Sequence, residues 1–187
     1  MNIKMISRRY SSTIMALLFL VAAVLACSSG NENDKANQLV DEGNAAVGEA
    51  KKFVTEAEEK KSKMMETPVS ELEAARTLAK EAIAAYDKAA AKCKEAARKY
   101  EEASKLKISD KLKEYLGIKV KEYDKRAELV ETAKGTPQAL IDSEDKDSLI
   151  SRAKANDDKV DKLSKEADDL AAQATKLEKD NPDMFKN

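Results

Sequence analysis

The chain has 187 residues, with 34 basic and 35 acidic side chains and no histidine. This balanced charge argues against nucleic acid binding, because the negatively charged phosphate groups bind best to a strongly basic surface. The lack of histidine excludes histidine-based nucleophile triads, zinc sites with imidazole ligands and the Glu-x-x-His pairs of di-iron helical bundles.

The first 26 residues have the pattern of an export signal. The first 13 residues contain three basic side chains and no acidic one, and an apolar run follows from Ile14 to Ala26. A run of this length suits the central region of a signal peptide, whereas a membrane-spanning helix needs about 20 apolar residues. The alternatives are an ordinary secretory signal, an uncleaved anchor helix and a twin-arginine signal, which Arg8 and Arg9 suggest.

The apolar run ends in Val24-Leu25-Ala26-Cys27. An aliphatic residue three positions before a cysteine, and a small residue directly before it, resemble the lipobox of bacterial lipoproteins. The resemblance implies cleavage after Ala26, a diacylglycerol thioether on the Cys27 thiol and, usually, acylation of the new amine. Several acyl chains on one residue anchor a protein stably, because each buried CH₂ group contributes about 0.8 kcal/mol. We therefore expect Cys27 to be the membrane anchor.

The residues after the cysteine suggest a tether and a location. Residues 27–34 are mostly polar, so we expect them to form a flexible tether between the bilayer and the rest of the chain. Ser28 stands where lipoproteins retained in the inner membrane have aspartate. The resemblance therefore implies a cell-envelope protein, lipid-anchored in the outer membrane if the bacterium has two membranes.

Residues 35–187 are expected to form a helical bundle, because apolar side chains recur three and four residues apart along most of this region. The four predicted helices span approximately residues 35–66, 69–106, 110–134 and 145–180. Thr67-Pro68 ends the first helix, Ser109 could cap the start of the third, and Gly135-Thr-Pro137 is predicted to stop it. We expect residues 138–147 to be a short apolar turn followed by an acidic segment. Met184 and Phe185 could form a hydrophobic plug or a frayed tail.

Helix two has the most regular apolar seam. Its positions are Leu72, Ala75, Ala79, Ala82, Tyr86, Ala89, Cys93, Ala96, Tyr100 and Ala103. A repeat of about 3.5 residues favours left-handed coiled-coil packing, and the small side chains allow a neighbouring helix to approach closely. The other three helices carry similar stripes.

These patterns predict an all-α fold. Short connections make neighbouring helices antiparallel, and thirty-odd helical residues give rods of roughly 50 Å. We therefore predict an elongated, antiparallel (up-down-up-down) four-helix, coiled-coil-like bundle. In the main alternative, helices two and three fuse across a weak break at residues 107–110 into one very long helix, with helices one and four packed on its two halves.

Acidic residues are the first candidates for chemistry. Adjacent pairs occur at Glu58-Glu59, Glu101-Glu102, Asp157-Asp158 and Asp168-Asp169. They fall mostly between the apolar seams, where a solvated charged face is expected, so we do not expect acid–base catalysis. The acidic segment 142–147 lacks the spacing of an EF-hand, because position five of such a loop would be Lys146 or Leu149. We expect no metal, cofactor-binding or catalytic residues.

Three further sets of residues have a structural and a functional interpretation. Cys93 lies on the seam of helix two, which favours a buried, unreactive thiol over a redox thiol. Asn156 lies on the seam of helix four, where a buried amide would fix the register of packing, unless the position is a solvated end. The tyrosines that could line a ligand cavity are Tyr86, Tyr100, Tyr115 and Tyr123.

Two classes of function fit these observations. The first is a lipid-anchored cell-envelope protein that acts without catalysis as a structural or interaction module, contacting a protein, the cell wall or another copy of itself. The second is a small-ligand-binding envelope lipoprotein with a pocket inside the bundle. The alanine-rich seams favour the first class, because they leave little room for a pocket.

Overall fold

A computed structural model of the protein describes residues 32–143 and 145–183. The predicted export signal, the lipidated Cys27 and most of the tether lie outside the described residues, as do Met184 and Phe185. Within the described ranges every regular element is helical, which confirms the all-α class. None of the helices in these ranges combines the length and the apolar character that crossing a membrane requires.

Four long helices and one short helix make up the described part of the chain. They are α1 (Glu32–Glu66), α2 (Leu72–Ser104), α3 (Asp110–Ala133), α4 (Gly135–Asp142) and α5 (Lys146–Asp180). A single 3-10 turn, Val69–Glu71, precedes α2. The long helices lie close to their predicted positions, but α1 begins three residues before its predicted start at residue 35, within the predicted tether. Glu32 and Asp34 fall in its first turn, where acidic side chains interact favourably with the helix dipole.

The α4 helix corrects the sequence analysis, which had predicted a helix stop and an apolar turn in this region. Only Lys134 separates α3 from α4, and Pro137 lies in the first turn of α4, where the missing N–H of proline has little effect. Ala139 is buried. Leu140 and Ile141 pack on a cluster formed by Met64, Ala75 and Ala79. This burial stabilises a helix that the Gly-Thr-Pro sequence by itself does not favour.

The helices α2 and α3 are separate and pack against each other, so the alternative of one fused helix is wrong. The chain turns over residues 105–109, and Ile108 is buried there. The Ser109 hydroxyl accepts a hydrogen bond from the backbone N–H of Leu112 at 3.2 Å, which caps α3 as its sequence suggests.

Close packing of α1 on α2 depends on small side chains. Nine of the ten predicted seam positions of α2 are buried, and Leu72 alone is exposed. Gly43 of α1 lies against the ring of Tyr100, and a Cβ atom added there would come 2.8 Å from Tyr100 Cε1. The two helices run in opposite directions, because Glu42 pairs with Lys99 near one end and Lys60 pairs with Glu81 near the other.

The buried side chains form three clusters along the helices. The first cluster joins the start of α1 to the end of α2, the first part of α3 and the end of α5. The second joins the middle of α1 and α2 to the end of α3 and to Val160 and Leu163 of α5. The third lies where α1 ends and α2 begins, beneath α4.

Candidate functional site

The interior contains one fully buried charged side chain among the described residues, Glu122, which is 2% exposed. Lys119 Nζ donates to Glu122 Oε2 at 2.6 Å, and Arg126 Nε donates to Glu122 Oε1 at 2.8 Å. Arg126 Nη2 also lies 3.4 Å from a carboxylate oxygen of Asp168, which connects α3 to α5. Both oxygens of the buried carboxylate therefore have a cationic partner, as a buried charge requires.

An aromatic ring lies against this ion cluster, and a second ring packs on the first. Lys119 Nζ lies 4.8 Å from the centroid of the Tyr123 ring, and the rings of Tyr123 and Tyr100 are 5.6 Å apart. Burial, together with the charge of Glu122, raises the pKa of Tyr123. Burial alone would lower the pKa of Arg126, but the attraction of Glu122 outweighs it and the pKa is raised. The phenol is therefore neutral and the guanidinium charged at neutral pH, which makes neither suitable for proton transfer there.

Sequence reasoning missed this cluster. The available signal was the spacing around Glu122, with Lys119 three residues before it and Arg126 four residues after it. Such spacing is common on solvated helix faces, where the pairs contribute only a few tenths of a kcal/mol. The burial of Glu122 depends on where α2 and α5 pack, which a pattern within one helix does not reveal.

The tyrosines proposed as cavity-lining residues are buried in the helix interfaces. Tyr86 is 1% exposed and Tyr100 is 2% exposed. The Tyr86 hydroxyl donates a hydrogen bond to Glu58, and the Tyr100 hydroxyl donates to Asn44 Oδ1 at 2.7 Å. Burial raises the pKa of both phenols. Both hydroxyls already have protein partners, so ligand binding by either one would break an existing bond.

The thiol of Cys93 is buried, as its seam position predicts. Burial raises its pKa from 9.0 to about 11. Since the thiolate is the nucleophilic form, this environment makes the thiol unreactive near neutral pH.

Asn156 is half-buried at the contact between α4 and α5. Its amide donates to Thr136 Oγ1 at 3.1 Å, and the Thr136 hydroxyl donates to Asp157 Oδ1 at 3.1 Å. A Cβ atom at Gly135 would lie 2.1 Å from Asn156 Oδ1, so the two helices meet closely here. This geometry favours the interpretation that Asn156 fixes the packing register.

The paired acids mostly serve structural contacts. Glu58 accepts a hydrogen bond from Tyr86, and Asp157 accepts one from Thr136. Glu102 pairs with Arg98 of its own helix at 2.5 Å. The adjacent residues Glu59, Glu101, Asp158 and Asp169 are exposed. Within the described ranges, no three His, Cys, Asp or Glu side chains are grouped in a way that could hold a metal ion.

Three large hydrophobic side chains of the described residues are exposed. They are Val69, which is 75% exposed, Leu72, at 39%, and Ile150, at 38%. Val69 and Leu72 follow the end of α1, and Ile150 lies near the start of α5. We call the region where α1 ends the distal end, and define it by residues 64–79 and 138–143. The length of α1 places it about 50 Å from Glu32.

Comparison with known proteins adds no family. No protein-family model, curated protein or solved structure matches this chain.

Proposed function

We propose that this protein is a lipid-anchored helical module of the bacterial cell envelope, which acts by contact with another macromolecule and not by catalysis. The anchor is proposed on the apolar run that ends in Val24-Leu25-Ala26-Cys27. Acylation of Cys27 would hold the chain at the bilayer, in the outer membrane if the bacterium has two membranes. The residues between Cys27 and Glu32 would then connect the lipid to the first turn of α1.

We also infer an elongated up-down-up-down arrangement of the four long helices. The inference rests on the opposed directions of α1 and α2 and on the order of the three buried clusters. Such a rod would hold its distal end about 50 Å from the tether when it stands upright on the membrane. The protein would thus present a rigid surface at a fixed reach.

The observation that carries this proposal is the contrast between the interior and the distal end. The interior hydrogen-bonding groups named above have partners within the protein, as for Glu122 and Tyr100. Val69 is instead largely exposed, and Leu72, at the start of α2, is 39% exposed. Exposed apolar side chains grouped in one region are typical of contact surfaces.

The alternative, a small-ligand binder with a pocket inside the bundle, has less support. Its proposed lining includes Tyr86 and Tyr100, whose hydroxyls are bonded to Glu58 and Asn44. Alanine dominates the contact between α1 and α2, which leaves little space between them. Two results together would support this alternative. A small molecule would raise the melting temperature by several degrees, and crosslinking in cells would recover no protein, wall or homo-oligomeric partner.

Substitution of each cysteine tests the anchor. We expect Cys27→Ser to release the protein from membranes or to leave it unprocessed, because serine cannot form the thioether. The matched control is Cys93→Ala, which removes the other thiol of the chain and should leave membrane association unchanged. Equal membrane association of the Cys27→Ser protein, with normal processing, would remove the basis of the proposal.

A further inference from the structure

The last described helix, α5, is held by a narrow apolar contact. Its close backbone contacts within the described residues are with α3 and α4. The helix has 35 residues, yet its fully buried apolar side chains larger than alanine are Val160 and Leu163, while Leu170 and Leu177 are only partly buried. The remaining buried side chains of α5 are small: Ser164, Ala167 and Ala174. Because apolar burial is the main favourable contribution to helix packing, α5 gains little stability for its length.

Ion pairs supply part of the attachment of α5 to α3. Arg126 Nη2 lies 3.4 Å from Asp168 Oδ1, and Lys125 Nζ lies 3.1 Å from Glu166 Oε2. The two carboxylate side chains are 38% and 41% exposed, so water can solvate them when the pairs separate. Arg126 would keep its hydrogen bond to Glu122 on its own helix, at 2.8 Å. Release of α5 would therefore leave no buried charge without a partner.

The contact between α1 and α2 is of a different kind. Six residues of α1 are buried, and among them Gly43 brings the backbone close to the ring of Tyr100. The buried hydroxyls of Tyr86 and Tyr100 on α2 donate hydrogen bonds to Glu58 and Asn44 on α1. Separation of these helices would break both bonds and expose both rings, which is costly. We therefore expect α1 and α2 to stay together in fluctuations that release α5.

We propose that α5 is a releasable cover, which opens from α3 and α4 as one unit while α1, α2 and α3 stay packed. Opening would uncover the face of α3 around Arg126 and the buried face of α5 around Ala167, so these surfaces would be accessible only in the open state. The order of the elements permits this, because α1 to α4 are joined to one another without passing through α5. The inference goes beyond the proposed function and does not depend on the lipid anchor.

Hydrogen exchange of the full chain, followed by mass spectrometry of peptic peptides, tests this proposal. Peptides from α5 report the opening of that helix, and peptides from α2 report unfolding of the whole domain. After correction for intrinsic rates, we expect amides between Val160 and Leu177 to exchange at least about 100-fold faster than the slowest amides of α2. Because α5 opens as one unit, protection should be similar along this stretch and not graded from its end.

Two variants separate the release of α5 from unfolding of the whole domain. Gly43→Ala strains only the contact between α1 and α2, so it should speed exchange in α2 about 5–30-fold and leave α5 within about twofold. Leu163→Ala weakens a contact that is lost in both processes, so it should speed exchange in both helices by the same factor, about tenfold or more. Circular dichroism should show the same helicity for the original protein and both variants.

A thiol trap measures whether the buried face of α5 becomes accessible. Ala167→Cys places a thiol on that face, and Ala89→Cys places one on α2 as the matched control, since both alanines are 0% exposed. Both variants also carry Cys93→Ala, and mass spectrometry of the peptide that contains each new cysteine measures its labelling alone. We expect Ala167→Cys to be labelled at least about 100-fold faster than Ala89→Cys.

Three outcomes would overturn the proposal. Equal exchange rates in α5 and α2, with an equal response to Gly43→Ala, would mean that the domain opens only as a whole. Protection that declines steadily toward the C-terminal end of α5 would indicate fraying of that end. Labelling of Ala167→Cys as slow as that of Ala89→Cys would show that the face of α5 stays covered. All three outcomes are independent of the Cys27→Ser test.

Discussion

Removal of the buried carboxylate of Glu122 should destabilise the fold more than removal of any exposed acid. In Glu122→Ala, the cations of Lys119 and Arg126 lose the acceptor that lies 2.6 Å and 2.8 Å away. The side chains of Lys119 and Arg126 are only 16% and 12% exposed, so water replaces that acceptor poorly.

The expected cost follows from this geometry. Breaking a buried ion pair by removing one partner costs roughly 3–5 kcal/mol. Lys119 and Arg126 both retain some contact with solvent, so we expect a loss near the lower end, about 3 kcal/mol. For a helical domain of this size such a loss corresponds to a melting temperature lower by roughly 6–12 °C.

Urea unfolding of residues 28–187, produced without lipid and followed by circular dichroism, measures this change. The control is Glu128→Ala on the same helix, which removes a carboxylate that is 56% exposed and pairs with Lys125. We expect that control to cost less than about 1 kcal/mol. The double variant Glu122→Leu with Arg126→Leu should return to within about 2 kcal/mol of the original stability, because it removes the more buried of the two cations left unpaired and fills the space with apolar atoms.

Two results would refute this reasoning. A loss below about 1 kcal/mol for Glu122→Ala would mean that water solvates the cations of Lys119 and Arg126 in place of the carboxylate. A double variant less stable than Glu122→Ala would mean that the ion pair contributes more than apolar packing can replace.

The remaining predictions concern two glycines and one thiol. Gly43→Ala should lower the free energy of unfolding by about 1–2 kcal/mol, because the added Cβ would press on the Tyr100 ring. Gly48→Ala should raise the free energy of unfolding by up to about 1 kcal/mol, because its Cβ would lie in open space and alanine favours a helix more than glycine does. Urea titrations compare the two. A native-state thiol reagent should label Cys93 slowly and faster on unfolding; rapid labelling of folded protein would contradict its burial. Burial raises the pKa of Cys93 from 9.0 to about 11, so the thiol ionises at a lower pH in the unfolded chain than in the folded protein. The free energy of unfolding should therefore fall as pH rises between these values, and Cys93→Ala should remove that part of the fall.

Much of the fold could be predicted because helical periodicity can be recognised within a single segment of sequence. The seam of α2 predicted nine buried positions correctly, since each lies where a 3.5-residue repeat requires. The cap at Ser109 could also be predicted, because it depends on residues within one helical turn. Leu72 is exposed, although it continues the repeat, since α2 begins there.

What could not be predicted depends on contacts between segments distant in the sequence. The Gly135-Thr-Pro137 sequence has the local features of a helix stop, and only packing of α4 on α2 and α5 shows that a helix begins there. Burial of Glu122 likewise depends on neighbouring helices. The acceptor of the Tyr100 hydroxyl, Asn44, is 56 residues away along the chain and gave no local signal.

The central claim is that Cys27 carries the lipid that anchors this helical module. Intact-mass spectrometry of the protein extracted from membranes tests it most directly. We predict a mature chain that begins at Cys27 and carries the added mass of a diacylglycerol group, with or without a further acyl chain on its amine. A membrane-extracted chain that retains residues 1–26, or one that begins elsewhere without added lipid mass, would contradict the account.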